Sequence, residues 1–209
     1  MMTVRGPGAR AAFKLGQRLD ALLLRIINRP SEEAAITAEI EQAFTQRRAV
    51  LVLDMSGFSR VTQAYGIVTF LAMIMRMRGL SEPIIEAFNG DLIKAEGDNL
   101  YCLFPDVDDA VGAAVDIIAA LDQANHALPA DRGLYASVGV GFGDVLVLEH
   151  ADMFGDEVNK ASKLGEDIAK RGEILLTSEA RKRLQRTIAC EENRRTISKL
   201  KLVYYAVIL

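Results

Sequence analysis

The chain has 209 residues, half of them hydrophobic and a quarter charged, with a formal net charge of −3. That length buries one good core plus a small appendage, and the near-neutral balance gives no global pull toward DNA or RNA. Cys102 and Cys190 form neither a disulfide framework nor a metal pattern, which fits a reducing cytoplasm.

Residues 1–8 hold two glycines and a proline and are expected to be disordered, with no signal-peptide core behind them. Residues 9–28 place Phe13, Leu15, Leu19, Leu22, Leu23, Ile26 and Ile27 at helical spacing, with Arg18 and Arg25 on another face. Asn28-Arg29-Pro30 ends that helix, and Ser31 caps a second one through about Thr45. Residues 1–45 thus read as a helical hairpin with a dimerisation or regulatory role. Residues 1–30 carry six basic groups against one acid, Asp20, leaving about −8 for the rest. A basic amphipathic head can touch an anionic membrane surface; packing on its own domain or on a dimer mate is the simpler reading. No run reaches the roughly 18 to 20 apolar residues of a membrane span.

Gln46-Arg47-Arg48 marks a boundary, and residues 46–209 read as one domain. Ala49–Met55 is a continuous apolar run, the signature of a central strand buried on both faces. It ends on Asp54. Ser59 to about Phe88 is helical, with Pro83 bending or restarting it. Asp91–Ala95 and Asn99–Phe104 form a hairpin across Glu96-Gly97-Asp98, and Val107–Ala127 an amphipathic helix. Leu134–Gly141 and Asp144–Leu148 read as two strands turned at Gly141-Phe142-Gly143. A helix over Val158–Arg171, a short strand at Ile174–Leu176, a helix over Ser178–Gln185 and a final strand over Lys201–Leu209 complete the chain. The order strand–helix–strand–strand–helix–strand predicts an α+β, ferredoxin-like (split βαβ) plan, a mostly antiparallel sheet covered by helices.

Two aspartates, Asp54 at a strand end and Asp98 at a hairpin turn, can share hard divalent cations. A Gly57-Phe58-Ser59 loop beside the first offers N–H groups to phosphate. Each piece also has an ordinary reading: Asp54 and Ser59 as helix caps, Gly97-Asp98 as a plain turn, Lys94 as an exposed strand lysine.

Four segments in register resemble the catalytic domain of the class III nucleotidyl cyclases, the adenylyl and guanylyl cyclase family, over about residues 46–209. Leu53-Asp54-Met55-Ser56-Gly57-Phe58-Ser59 is similar to the family's Asp-x-x-Gly-Phe-Thr block. The resemblance implies that Asp54 and the Met55 carbonyl ligate metal, while Gly57, Phe58 and Ser59 meet the triphosphate. Lys94-Ala95-Glu96-Gly97-Asp98 resembles Lys-x-x-Gly-Asp, implying Asp98 as the second metal carboxylate and Lys94 as a purine-binding residue. Glu96 departs from the uncharged residue common there; an extra acid can bind Lys94 or disturb the pocket. The segment from Asp152 to Lys163 resembles Asp-x-x-Gly-x-x-Val-Asn-x-Ala-x-Arg. It implies Asp152 on the adenine amino group, Asn159 on the ribose and Lys163 in place of an arginine at the α-phosphate. Lysine keeps that charge and loses the planar fork. Near the C-terminus, Lys199 or Lys201 stands for a triphosphate-binding lysine, although the family's glycine there is missing. The stretch Val145–Ala151 is shorter than the family's dimer-spanning arm.

The resemblance implies a homodimeric enzyme that makes cyclic AMP from ATP with two Mg²⁺ or Mn²⁺ ions per site. GTP or a pyrimidine triphosphate remains an alternative substrate. So does a catalytically degenerate module that binds nucleotide or a partner.

Overall fold

A computed structural model of the chain describes residues 7–148, 151–197 and 200–209. The hairpin comes first, as α1 (Pro7–Asn28) and α2 (Glu33–Phe44). Leu19 and Leu22 of α1 meet Ile36, Ile40 and Phe44 of α2, with Leu146 and Leu148 of the sheet closing the base of this small core. Arg18 lies 3.9 Å from Glu39, Arg25 3.5 Å from Glu39, and Arg29 3.1 Å from Glu32. Acids of the same hairpin therefore meet part of the basic head, which weakens the case for an anionic surface as its partner. The tip expected to be disordered falls mostly on residues 1–6, outside the described residues; Pro7 and Gly8 are already helical.

After the hairpin come β1 (Thr45–Met55), α3 (Phe58–Tyr65), α4 (Ile67–Ala87), β2 (Asp91–Glu96), β3 (Asn99–Phe104) and α5 (Val107–Asn125). Then come β4 (Ala136–Leu148), β5 (Asp152–Phe154), α6 (Asp156–Ser162), β6 (Ile174–Thr177), α7 (Ser178–Arg183), β7 (Cys190–Ile197) and β8 (Leu200–Val207). All eight strands share one sheet, ordered β2-β3-β1-β4-β6-β8-β7, with β5 paired to β4 off that path. Only the β4–β6 pairing is parallel. The predicted α+β, ferredoxin-like plan is the one observed.

β1 lies between β3 and β4 and is covered on both faces, as its apolar run requires. Ala49, Leu51, Leu53 and Met55 join the main core with Phe70, Met77, Val111 and Ile117 from α4 and α5. Val50 and Val52 face the other way, toward Val158 and Ala161 of α6. By the two-residue period of a strand, Asp54 falls on the α6 face, just where β1 leaves the core.

Several expectations are corrected. Gly141-Phe142-Gly143 is no turn: β4 is one strand of 13 residues. The glycines are there because α6 lies directly on the sheet. A Cβ at Gly139 would collide with the Ala161 carbonyl, and one at Gly141 would come within 2.8 Å of the Glu157 carbonyl. The predicted helix over 59–88 is two helices, broken at Gly66, whose φ of 83° admits no ordinary residue without strain. Pro83 does not restart α4, which runs on to Ala87. The helix predicted over 158–171 starts at Asp156 and widens into a π-helical turn at Lys163–Ile168. The last strand has an unforeseen partner, β7.

Gly139→Ala is expected to cost about 1–3 kcal/mol, because the added methyl meets rigid backbone. Gly79→Ala, on open helix surface with nothing within 4 Å, is expected to add about 0.5–1 kcal/mol. Urea denaturation of both variants checks the pair.

Candidate active site

Asp54 pairs across the sheet with Asn99 of β3 and Ser137 of β4. The next residue ties in the β2–β3 turn: the Met55 N–H donates to the Asp98 carbonyl at 3.3 Å. α4 holds the same turn through Arg78, whose Nη2 donates to the Gly97 carbonyl at 2.8 Å. Gly97, with φ of 57°, permits the two-residue turn that puts Asp98 there. The two carboxylates named from the sequence are thus brought together at the rim of the sheet.

Their surroundings are acidic. Burial, then Asp98, Glu166 and Asp167, push the Asp54 carboxyl up to about 7. The Oδ1 of the neighbouring Asn99 is buried with no hydrogen-bond partner among the described residues. Hard oxygen donors crowded at one point, with a spare carbonyl beside them, fit a divalent cation. No group of three or more His, Cys, Asp or Glu side chains gathers to hold a metal among the described residues. Mg²⁺ needs no such cage, since it is commonly held by one or two carboxylates with the remaining positions left to phosphate oxygens and water.

After β1, the Ser56 N–H donates to the Tyr135 carbonyl at 2.8 Å, and Gly57 (φ 107°) leads into α3. Phe58 and Ser59 open that helix; their side chains lie outside the described residues.

The second cluster is built on β2, β3 and β5. Lys94 Nζ is 3.1 Å from Asp152 Oδ1 and 3.0 Å from Glu96 Oε2. It sits 4.7 Å from the centroid of the Tyr101 ring. Burial alone would lower the Lys94 ammonium, but hydrogen bonds to Glu96 and Asp152 outweigh it and raise the pKa above its usual value. Tyr101 donates its hydroxyl to Glu166 Oε1 at 3.0 Å.

Asn159 and Lys163 stand one turn apart at the end of α6, where the Lys163 N–H donates to the Asn159 carbonyl. Both are exposed, and neither side chain makes a hydrogen bond or ion pair among the described residues. Glu157, buried on the same helix, holds α6 in place. Its Oε2 accepts from Thr177 Oγ1 at 2.6 Å and from the Phe142 N–H at 3.1 Å. Lys201 lies in β8, far across the sheet from Lys94, and its side chain lies outside the described residues. Lys199 lies outside them altogether.

Tyr101 and Glu166 were not singled out from the sequence. Tyr101 was missed because the sequence reading turned the hairpin over Glu96-Gly97-Asp98; Glu96 instead pairs with Asn99, and the two-residue turn sets Lys94 opposite Tyr101. Glu166 was missed because its position depends on the π-helical turn after α6.

Residues 40–206 match the family described as Adenylate and Guanylate cyclase catalytic domain. A protein of Rhizobium meliloti (strain 1021) called "Putative adenylate cyclase 3" is 33% identical over 129 residues, which cover 62% of this chain and 22% of that protein. The match thus spans about a fifth of the curated relative's length. Among solved structures, the adenylyl cyclase CyaB from P. aeruginosa aligns with a TM-score of 0.63 at 22% identity, over 78% of this chain and 95% of that one. The guanylate cyclase domain of RhGC from Catenaria anguillulae in complex with GTP aligns at 0.66 and 19%, over 79% and 98%. At such identities these two similarities concern the fold. No helix among the described residues is long and apolar enough to cross a membrane. The match over 40–206, together with the fold, establishes that this chain belongs to the class III adenylyl and guanylyl cyclase catalytic domain family.

Proposed function

We propose that the protein is a nucleotidyl cyclase that converts ATP into cyclic AMP and pyrophosphate at sites shared by two copies of the chain. The observation that carries this reading is the Lys94–Asp152 pair, 3.1 Å apart, on a chain that also carries Asp54 and Asp98. A lysine can only donate and a carboxylate can only accept. Adenine offers one of each on its edge, a ring-nitrogen acceptor beside an amino donor.

In this reading Asp54, Asp98 and the Met55 carbonyl hold two Mg²⁺ or Mn²⁺ ions. Bound there, such ions ease ionisation of the ribose 3′-hydroxyl and neutralise the triphosphate. The N–H groups of Gly57 and Phe58, at the start of α3 with Ser59 beside them, cradle the β- and γ-phosphates. Lys199 or Lys201 adds positive charge to the triphosphate. Asn159 orients the ribose. Lys163 balances the charge that builds on the α-phosphate as the 3′-oxygen attacks and pyrophosphate leaves. Catalysis of this kind is positioning and charge: the 3′-oxygen–phosphorus bond forms as the bond to pyrophosphate breaks, with no covalent enzyme intermediate. A lysine where the family has arginine predicts reduced turnover rather than none.

Asp54 and Asp98 of one copy face Lys94, Asp152, Asn159 and Lys163 of the other, giving a symmetric homodimer with two composite sites. Residues 1–45 form the dimerisation or regulatory segment, joined to a catalytic domain over 46–209. The exposed Leu23, Leu24 and Ile27 on α1 support that division. A second substrate reading is GTP. Guanine presents its acceptor and donor in the opposite order, so the same lysine and aspartate suit it in another orientation.

Purified protein given Mn²⁺ and all four triphosphates is expected to release cyclic AMP, detected by mass spectrometry, and Asp54→Ala to abolish pyrophosphate release. Cyclic GMP as the main product would favour the second reading. No turnover at all would leave only a nucleotide- or partner-binding module.

An equal mixture of Asp54→Ala and Asn159→Ala chains is expected to regain about a quarter of wild-type activity, since half of the dimers then carry one intact site. If each variant is inactive alone and the mixture stays inactive, the composite layout is wrong.

The Asp54 carboxyl favours the folded state when protonated. That contribution is full below its ordinary 3.8 and is lost as pH rises through about 7. At pH 8 without metal, Asp54→Asn is therefore expected to raise Tm. Mn²⁺ should raise the Tm of the wild type and leave that of the variant unmoved.

A further inference from the structure

The Lys94 ammonium is already occupied. Two carboxylates accept from it, Glu96 Oε2 at 3.0 Å and Asp152 Oδ1 at 3.1 Å, and it rests over the Tyr101 ring at 4.7 Å. A purine nitrogen or carbonyl is neutral and a weaker acceptor than a carboxylate. Two of the three N–H donors of the ammonium already face carboxylates and the Tyr101 ring lies against it, so a base that takes a hydrogen bond from Lys94 competes with those acids. The acids are not equally held. Asp152 is anchored: its side chain is 34% exposed, and its Oδ1 also accepts from the Met153 N–H at 2.9 Å. Glu96 sits at the last position of β2, its side chain 70% exposed, with Lys94 as its only side-chain partner among the described residues.

We propose that Glu96 is a built-in competitor for the nucleotide base: it holds Lys94 when no nucleotide is bound, yields to the incoming purine, and so weakens nucleotide binding. The inference rests on Lys94 being the base-binding lysine. Glu96 acts through Lys94 and is a positioning residue, touching neither the phosphates nor the reacting oxygen. It sets how much nucleotide is needed to fill the site, while the Lys94–Asp152 pair reads the base. With Glu96 displaced, the ammonium keeps one carboxylate and the aromatic face, so the lysine stays charged and in place.

The test compares wild type with Glu96→Gln, alone and in a Lys94→Met background, by steady-state kinetics and by calorimetric binding of ATP. Removing one exposed charge partner should lower the KM and Kd for ATP about threefold, with kcat changing less than KM. In the Lys94→Met background the same substitution should change neither constant. Inhibition by inorganic tripolyphosphate, which has no base, should be alike in wild type and Glu96→Gln. An unchanged or raised KM in Glu96→Gln overturns the proposal. So does a fall that persists without Lys94, or an equal gain in tripolyphosphate binding, since either would mean that Glu96 merely repels the phosphates. If wild type binds ATP without turning it over, the cyclase reading fails and Kd alone decides the role of Glu96. If it does neither, both fall.

Discussion

The arrangement depends on one close approach, that of α6 to the backbone of β4. Side chains at Gly139, Gly141 and Gly143 would hold the helix off the sheet, and a Cβ at two of these positions already meets its backbone. Because they are missing, Ala161 and Val158 join Val50 and Val52 in one buried cluster. The buried Glu157 then fastens the helix to β4 and β6 through Phe142 and Thr177. Everything offered to solvent beyond that contact follows from it: Asn159 and Lys163 on the outer side of α6, and Glu166 on the π-helical turn, reaching Tyr101. The adjacent Asp167 adds to the charge that Asp54 feels. A helix one side chain higher would leave these groups without a common floor.

The glycines also explain where sequence reasoning succeeded and where it did not. β1 was legible because Ala49–Met55 is apolar at every position but one, and the exception, Asp54, marks the place where the strand meets water. The β2–β3 hairpin was legible because Gly97 forces a turn. Gly141-Phe142-Gly143 carries the same local signal as a turn, yet it means close packing, and only the helix lying above it decides which. β7 was hidden for another reason. Cys190–Ile197 is dominated by Glu191, Glu192, Arg194 and Arg195, and an edge strand that buries little leaves no alternation to read. Of the candidate site, the two acid–acid and acid–base pairings were named in advance. Glu96 against Lys94 was foreseen as well, but two other partners that hold them were not: Arg78 on the turn and Tyr101 beneath Lys94. Those contacts depend on register and on side-chain reach, which spacing along the chain does not encode.

Charge is distributed unevenly over the face that α6 helps to build. Asp54, Asp98, Glu166 and Asp167 crowd one part of it, whereas Lys94 is the one cation tied to Glu96 and Asp152 among the described residues. A triphosphate brings further negative charge. Under the proposed function, cations that accompany the triphosphate would offset that repulsion.

β4 runs unbroken from Leu148 to Ala136. Near one end Leu146 and Leu148 close the small core of the helical hairpin; near the other, Ser137 stands across from Asp54. A pleated strand advances about 3.3 Å per residue, so the two are separated by a ruler of roughly 30 Å with no hinge in it. The base of the hairpin and the acidic rim are therefore anchored to one and the same strand.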